Sequence, residues 1–135
     1  MFLRKLELNN FINISKIDFE FNKNINIFIG NNAQGKTNVL ESIYFLAITR
    51  SHRTHNELNL IKNDALYTKV YGTFFDDSKN THMLSILLNE KGKKVSVDNI
   101  MQKKISNYLS RLNVIMFCPD DLDIIKGTPA TRRKF

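Results

Sequence analysis

The chain has 135 residues, 42% of them hydrophobic and 24% charged, a balance that supports one folded domain and argues against disorder. Its 20 Lys and Arg outnumber 13 Asp and Glu for a net charge of +7, a surplus that suits polyanionic partners or, equally, a solvated basic surface. The single cysteine, Cys118, excludes an internal disulfide and offers no Cys-based metal site, while the charged start Met1-Phe2-Leu3-Arg4-Lys5-Leu6-Glu7-Leu8 has no signal-peptide core, so a soluble, cytoplasmic protein with no membrane contact is expected.

Residues 3–8 alternate imperfectly in the manner of a strand, and residues 17–21 do so cleanly, with Ile17, Phe19 and Phe21 opposite Asp18 and Glu20. Asn9, Asn10, Asn13 and Ser15 supply the turn, so an antiparallel hairpin opens the chain. Residues 25–29 are nearly continuous in apolar character and predict a buried strand running into Gly30. From Thr37 to Ile48 the apolar residues Val39, Leu40, Ile43, Tyr44, Leu46 and Ala47 recur at helical spacing.

Segments 66–75, 82–88 and 95–97 read as further strands, with Lys91-Gly92-Lys93-Lys94 as a basic hairpin tip whose lysines are exposed to solvent or, less commonly, touch DNA. A helix is expected over 100–111, its wet face carrying Lys103 and Lys104, and a strand over 113–117, ended by Pro119. Thr128 and Pro129 fit the N-cap and first position of a final helix that stops after roughly two turns, as a truncated domain would. The order describes one mixed α/β domain over residues 1–135. Phe19, Phe21, Phe28, Phe74 and Phe75 are spaced for core packing rather than for stacking on bases.

Gly30-Asn31-Asn32-Ala33-Gln34-Gly35-Lys36-Thr37 matches G-x-x-x-x-G-K-[ST] at every fixed position. Glycine lets backbone approach phosphate oxygens and tolerates positive φ. Successive N–H groups then form an anion nest, reinforced by the free amides and dipole of the following helix. The motif assigns Lys36 to the β- and γ-phosphates of ATP and the Thr37 hydroxyl to Mg²⁺, with Asn38 completing the nucleotide site. A hairpin before the motif is similar to ABC-type ATPases, whereas small GTPases and nucleotide kinases usually carry it after their first strand. No guanine-specific Asn-Lys-x-Asp motif is present.

Further residues extend the likeness. Leu6–Phe11, the P-loop followed by Asn38, Leu40-Glu41 and Ile43-Tyr44, then Arg50-Ser51-His52-Arg53-Thr54, and Phe117-Cys118-Pro119-Asp120-Asp121-Leu122 with Lys126-Gly127, Pro129 and Arg132-Arg133, together resemble the start of the RecF family. The resemblance covers essentially all 135 residues, and the Ser-His-Arg and Pro-Asp-Asp-Leu segments separate it from SMC and Rad50 proteins. It implies the N-terminal lobe of an ABC-type P-loop ATPase head that dimerises around ATP, binds DNA, and acts with RecO and RecR in recombinational repair at gaps.

Two departures stand out. Ala33 occupies a loop position where the family often has glycine. The Walker B and signature motifs needed for hydrolysis are also absent: Pro119 interrupts the run Val114–Phe117 before Asp120 and Asp121, and Asn89 stands where the first acid would follow Ile86-Leu87-Leu88. Nucleotide binding with little or no turnover is expected of these residues.

Beyond the motif, Arg50 and Arg53 are candidates for DNA or dimer-interface contact by the resemblance, or for a basic loop at the C-terminal end of the P-loop helix. Asp120 and Asp121 fall at the Q-loop position, or cap a helix over 121–126. His52 and His55 lack a third ligand for zinc. Arg132 and Arg133 fit either phosphate contact or solvent.

Overall fold

The computed structural model describes residues 1–30 and 35–117. Asn31, Asn32, Ala33 and Gln34 of the motif lie outside the described residues, as do Cys118, Asp120, Asp121, the helix start at Thr128 and the Arg132–Arg133 pair.

Among the described residues six strands form a single antiparallel sheet in the order β2-β1-β3-β4-β5-β6. They are β1 (Phe2–Phe11), β2 (Ile14–Glu20), β3 (Tyr67–Phe75), β4 (Thr81–Asn89), β5 (Gly92–Val97) and β6 (Ile100–Gln102). The helix α1 (Lys36–Ile48) lies against one face, and short 3-10 turns occupy Glu57–Leu60 and Ile105–Asn107. The opening hairpin, the helix after the P-loop and the strands at 66–75, 82–88 and 95–97 are all found where the sequence pattern places them, within a few residues.

Register explains why one face is dry. Leu8 pairs with Val70, Val70 with Ile86 and Ile86 with Val95, so four apolar side chains line up across four strands. The next inward row is Leu6, Gly72, Leu84 and Val97. All are buried, whereas Lys5, Glu7, Lys69, Tyr71 and Ser85 alternate with them on the wetter face. Each aliphatic side chain so buried contributes about 1.5–3 kcal/mol.

A helix of 13 residues is marginal alone, and α1 is held by burying Val39, Phe45, Leu46 and Ala47 on the sheet. Gly72 makes that approach possible: a Cβ there would stand 2.4 Å from Leu46 Cδ2. Tyr108 and Leu112 join the same buried core, and the Tyr108 hydroxyl donates to the Leu46 carbonyl. Burial pushes that hydroxyl's pKa well up.

Four expectations are corrected. Residues 25–29 form no strand: Ile25, Ile27 and Ile29 are 76%, 77% and 91% exposed. A strand needs a hydrogen-bonding neighbour, and no described segment pairs with this one. It is anchored instead through Phe28, whose ring meets Phe19 and Phe21 edge-on at 5.5 and 6.1 Å, and through Asn26, which exchanges hydrogen bonds with the Asn22 backbone. Residues 113–117 fail as a strand for the same reason, with Ile115 and Phe117 exposed.

The helix expected over 100–111 is replaced by β6 and a single 3-10 turn. Asp98 and Asn99 take positive φ values of 51° and 66°, the combination a two-residue hairpin turn requires, and they return the chain onto β5. Ser106 and Asn107 then favour local turns over helix. Lys103 and Lys104 are exposed, but on this turn rather than on a helix.

The basic tip at Lys91–Lys94 is also only partly right. The turn is Glu90-Lys91, and Lys93 points inward from β5, with a side chain 12% exposed. Its ammonium donates to the Thr49 carbonyl and to both Glu57 oxygens at 2.9 and 3.0 Å. Among the described residues no helix is long and apolar enough to cross a membrane.

Candidate functional site

The P-loop's described residues meet at the N-terminus of α1. Gly35 is the N-cap at φ +81°, a left-handed conformation that costs glycine nothing and strains other residues. Among the described residues no side chain caps this end, and no acid stands in the first turn. The leading amides of the helix therefore face outward with their share of the dipole, an arrangement that receives an anion. Lys36 donates from its ammonium to the Gly30 carbonyl, linking the two ends of the motif. Thr37 is exposed beside it.

Asn38 ties this end to two other elements. Its amide donates to Asn13 Oδ1 at 2.7 Å, in the β1–β2 turn, and its carbonyl oxygen accepts from Arg53 Nη2. Asn13 Oδ1 lies 3.5 Å from where a Cβ on Gly35 would stand, so the hairpin buttresses the helix cap. The hairpin before the P-loop thus does local work at the site.

Arg53 reaches back along the helix because the segment after it is clamped by Glu41. Glu41 is fully buried on α1, and its Oε1 accepts from the Ser51 hydroxyl at 2.6 Å and the His52 amide at 2.7 Å. Ser51 Oγ then accepts from the Arg53 and Thr54 amides, each at 3.1 Å. Arg53 Nε stands 3.9 Å from Glu41 Oε2.

Of the sequence candidates, Gly30, Gly35, Lys36, Thr37, Asn38 and Arg53 therefore converge. Arg50 does not. It lies at the opposite end of α1, lining a cavity of about 690 Å³ with His55, Glu57 and Lys93. The C-terminal helix end that Arg50 and Arg53 were candidates to satisfy is served by Lys93, through the carbonyl of the C-cap Thr49. Among the described residues no His, Asp, Glu or Cys cluster is arranged to hold a metal ion, His52 and His55 included.

Sequence reading missed Glu41 and Asn13 as site residues. The available signal was a charge at 41 on the helix face shared with Asn38 and Phe45, three and four residues away, where a solvated carboxylate would be out of place.

Residues 5–115 match the model of the AAA domain family. Over all 135 residues the chain is 51% identical to the DNA replication and repair protein RecF of Lactobacillus acidophilus and 47% identical to that of Streptococcus suis, covering 36% and 37% of those proteins. It spans a little over a third of the length of these relatives. Among solved structures, the recombination mediator protein RecF-ATP of the RecFOR pathway superposes with a TM-score of 0.86 at 32% identity, over 98% of this chain and 37% of the other. A chain from the structural biochemistry of ATP-driven dimerization and DNA-stimulated activation of SMC ATPases gives 0.81 at 22% identity, over 99% and 96%, a likeness of fold.

Proposed function

This chain belongs to the AAA domain family and within it to the RecF proteins, and from that premise we propose that it is the ATP-binding segment of a DNA replication and repair ATPase. The reading is carried by one observation: the N-terminus of α1 behind left-handed Gly35, with no side-chain cap among the described residues and the Lys36 ammonium at Gly30. Residues Gly30 to Asn38 bind the triphosphate, Lys36 neutralising the β- and γ-oxygens. Thr37 offers one hydroxyl and no carboxylate stands in the first turn, a donor set that suits Mg²⁺ arriving with nucleotide oxygens and water. The metal would supply charge neutralisation of the phosphates there.

In the whole protein ATP acts mainly as a dimerisation ligand, DNA is the polyanionic partner favoured by the net charge of +7, and RecO and RecR are the protein partners. Gapped DNA is the substrate class that fits recombinational repair, the cytoplasm is the compartment, and these residues alone turn over little ATP. Asp120 and Asp121 remain the Q-loop candidates.

Calorimetric titration tests the reading. Wild-type chain binds Mg-ATP, and Lys36→Ala weakens binding at least about 100-fold while the thermal transition is kept, because one charge-assisted contact to phosphate is worth about 3 kcal/mol. Equal affinity for the two proteins rejects it. An SMC-like head is the second reading, supported by the common fold; the higher identity to RecF along the whole chain favours the first. A DNA-binding module using the P-loop for a backbone phosphate would instead give salt-sensitive DNA affinity that ATP competes away.

A further inference from the structure

Glu41 is fully buried, yet only half of its carboxylate is used. Oε1 holds Ser51 and His52, while Oε2 has no hydrogen-bond partner among the described residues. A buried anion with an idle oxygen is costly unless a cation compensates it. The cation at hand is Arg53, whose Nε at 3.9 Å from Oε2 is too far for a hydrogen bond but close enough to attract. The other arm of the same guanidinium donates to Asn38 at the phosphate-facing end of the helix. Arg53 thus spans two positions along α1, hydrogen-bonded to Asn38 ahead and standing beyond hydrogen-bond reach of the carboxylate behind it.

We propose that Glu41 is the resident counter-ion of Arg53, releasing the guanidinium to an anion that arrives at the N-terminus of α1 and so setting nucleotide affinity without touching nucleotide. This rests on the reading of residues 30–37 as a phosphate site. Arginine does not lose its proton, so the competition is one of position. Phosphate oxygens win it because they accept the planar fork in a bidentate manner, which the half-buried approach to Oε2 does not allow. Arg53 is itself 46% exposed, so it can swing forward without unpacking the core.

Glu41→Gln separates this role from a structural one. Glutamine keeps the volume and the carbonyl acceptor for Ser51 and His52, removes the charge and puts an amide nitrogen in place of Oε2. Structural damage can only weaken binding, whereas loss of a competing counter-ion tightens it. In calorimetric titrations of the intact chain with Mg-ATP, Glu41→Gln lowers the dissociation constant about two- to fivefold, the effect of no longer having to break a partly exposed ion pair. Arg53→Ala weakens binding, and Glu41→Gln adds nothing in the Arg53→Ala background. Unchanged or weaker binding by a folded Glu41→Gln chain overturns the proposal, as does tightening that persists without Arg53. If Glu41→Gln fails to fold, Arg53→Ala alone decides, and unchanged affinity there is the overturning result. Failure of the wild-type chain to bind Mg-ATP, or indifference to Lys36→Ala, defeats the phosphate-site reading itself and with it this one.

Discussion

Replacing Lys93 by methionine removes a charge from a place where the sequence pattern shows only a hairpin lysine. Its ammonium touches three oxygens, the Thr49 carbonyl that ends α1 and both oxygens of Glu57, and lies 5.9 Å above the Phe45 ring. Methionine keeps most of the stem against Phe45, so the perturbation is electrostatic. Breaking a fully buried ion pair costs about 3–5 kcal/mol and an exposed one about 0–1 kcal/mol. With side chains 12% and 28% exposed, this pair falls between those limits. About 2 kcal/mol is the resulting estimate, including the favourable cation at a helix C-terminus. For a chain of this size that corresponds to a fall of about 8 °C in melting temperature, followed by circular dichroism. Glu57→Gln should lower it less, and the double variant should recover part of the sum, because the two residues share one interaction. A melting temperature within about 1 °C of wild type for Lys93→Met would refute the buried-clamp reasoning and return Lys93 to the solvent.

Gly72→Ala places a Cβ 2.4 Å from Leu46 Cδ2 and 3.3 Å from Leu3 Cδ1, and fully buried Leu46 has nowhere to retreat. Urea unfolding should show a loss of about 1–3 kcal/mol, reduced in a Leu46→Ala background; an equal loss in both backgrounds would contradict the contact. His82 lies between Asp76 at 2.9 Å and Asp98 at 3.6 Å, and the hydrogen bond with Asp76 leads in raising its pKa above the ordinary 6.5. A raised folded-state pKa gives stabilisation that is full below 6.5 and lost as pH climbs through the higher folded value. The same contact holds Asp76 at about 2, below its ordinary 3.8, so on the acid side stabilisation is present above 3.8 and lost as pH falls through about 2. Melting temperature should therefore decline as pH rises from 6.5 in wild type and stay flatter in His82→Gln, and parallel declines would remove His82 from the account.

The parts of the fold that were legible in the sequence are those whose partners lie within it. The alternation of β3 and β4 and the helical spacing of Val39, Leu46 and Ala47 read correctly because each apolar face meets another described face. Residues 25–29 and 113–117 have the same apolar character without such a neighbour, and composition alone does not say which strand completes a ladder. The missed β5–β6 turn had a local signal in Asp98-Asn99, overlooked in favour of helical periodicity over 100–111. At the site, the left-handed Gly35 before α1 was readable because a short motif spells out that backbone demand. Glu41, Asn13 and the inward turn of Lys93 depend on contacts between residues 10 to 44 positions apart, which no local pattern carries.

The most direct measurement is a titration of the isotope-labelled chain with Mg-ATP, followed by its backbone amide resonances. The account predicts that Gly35, Lys36, Thr37 and Asn38 shift first and furthest, and that Lys36→Ala abolishes those shifts at the same concentrations. Shifts confined to the sheet or to the Arg50 cavity, or none at all from a folded chain, would contradict it.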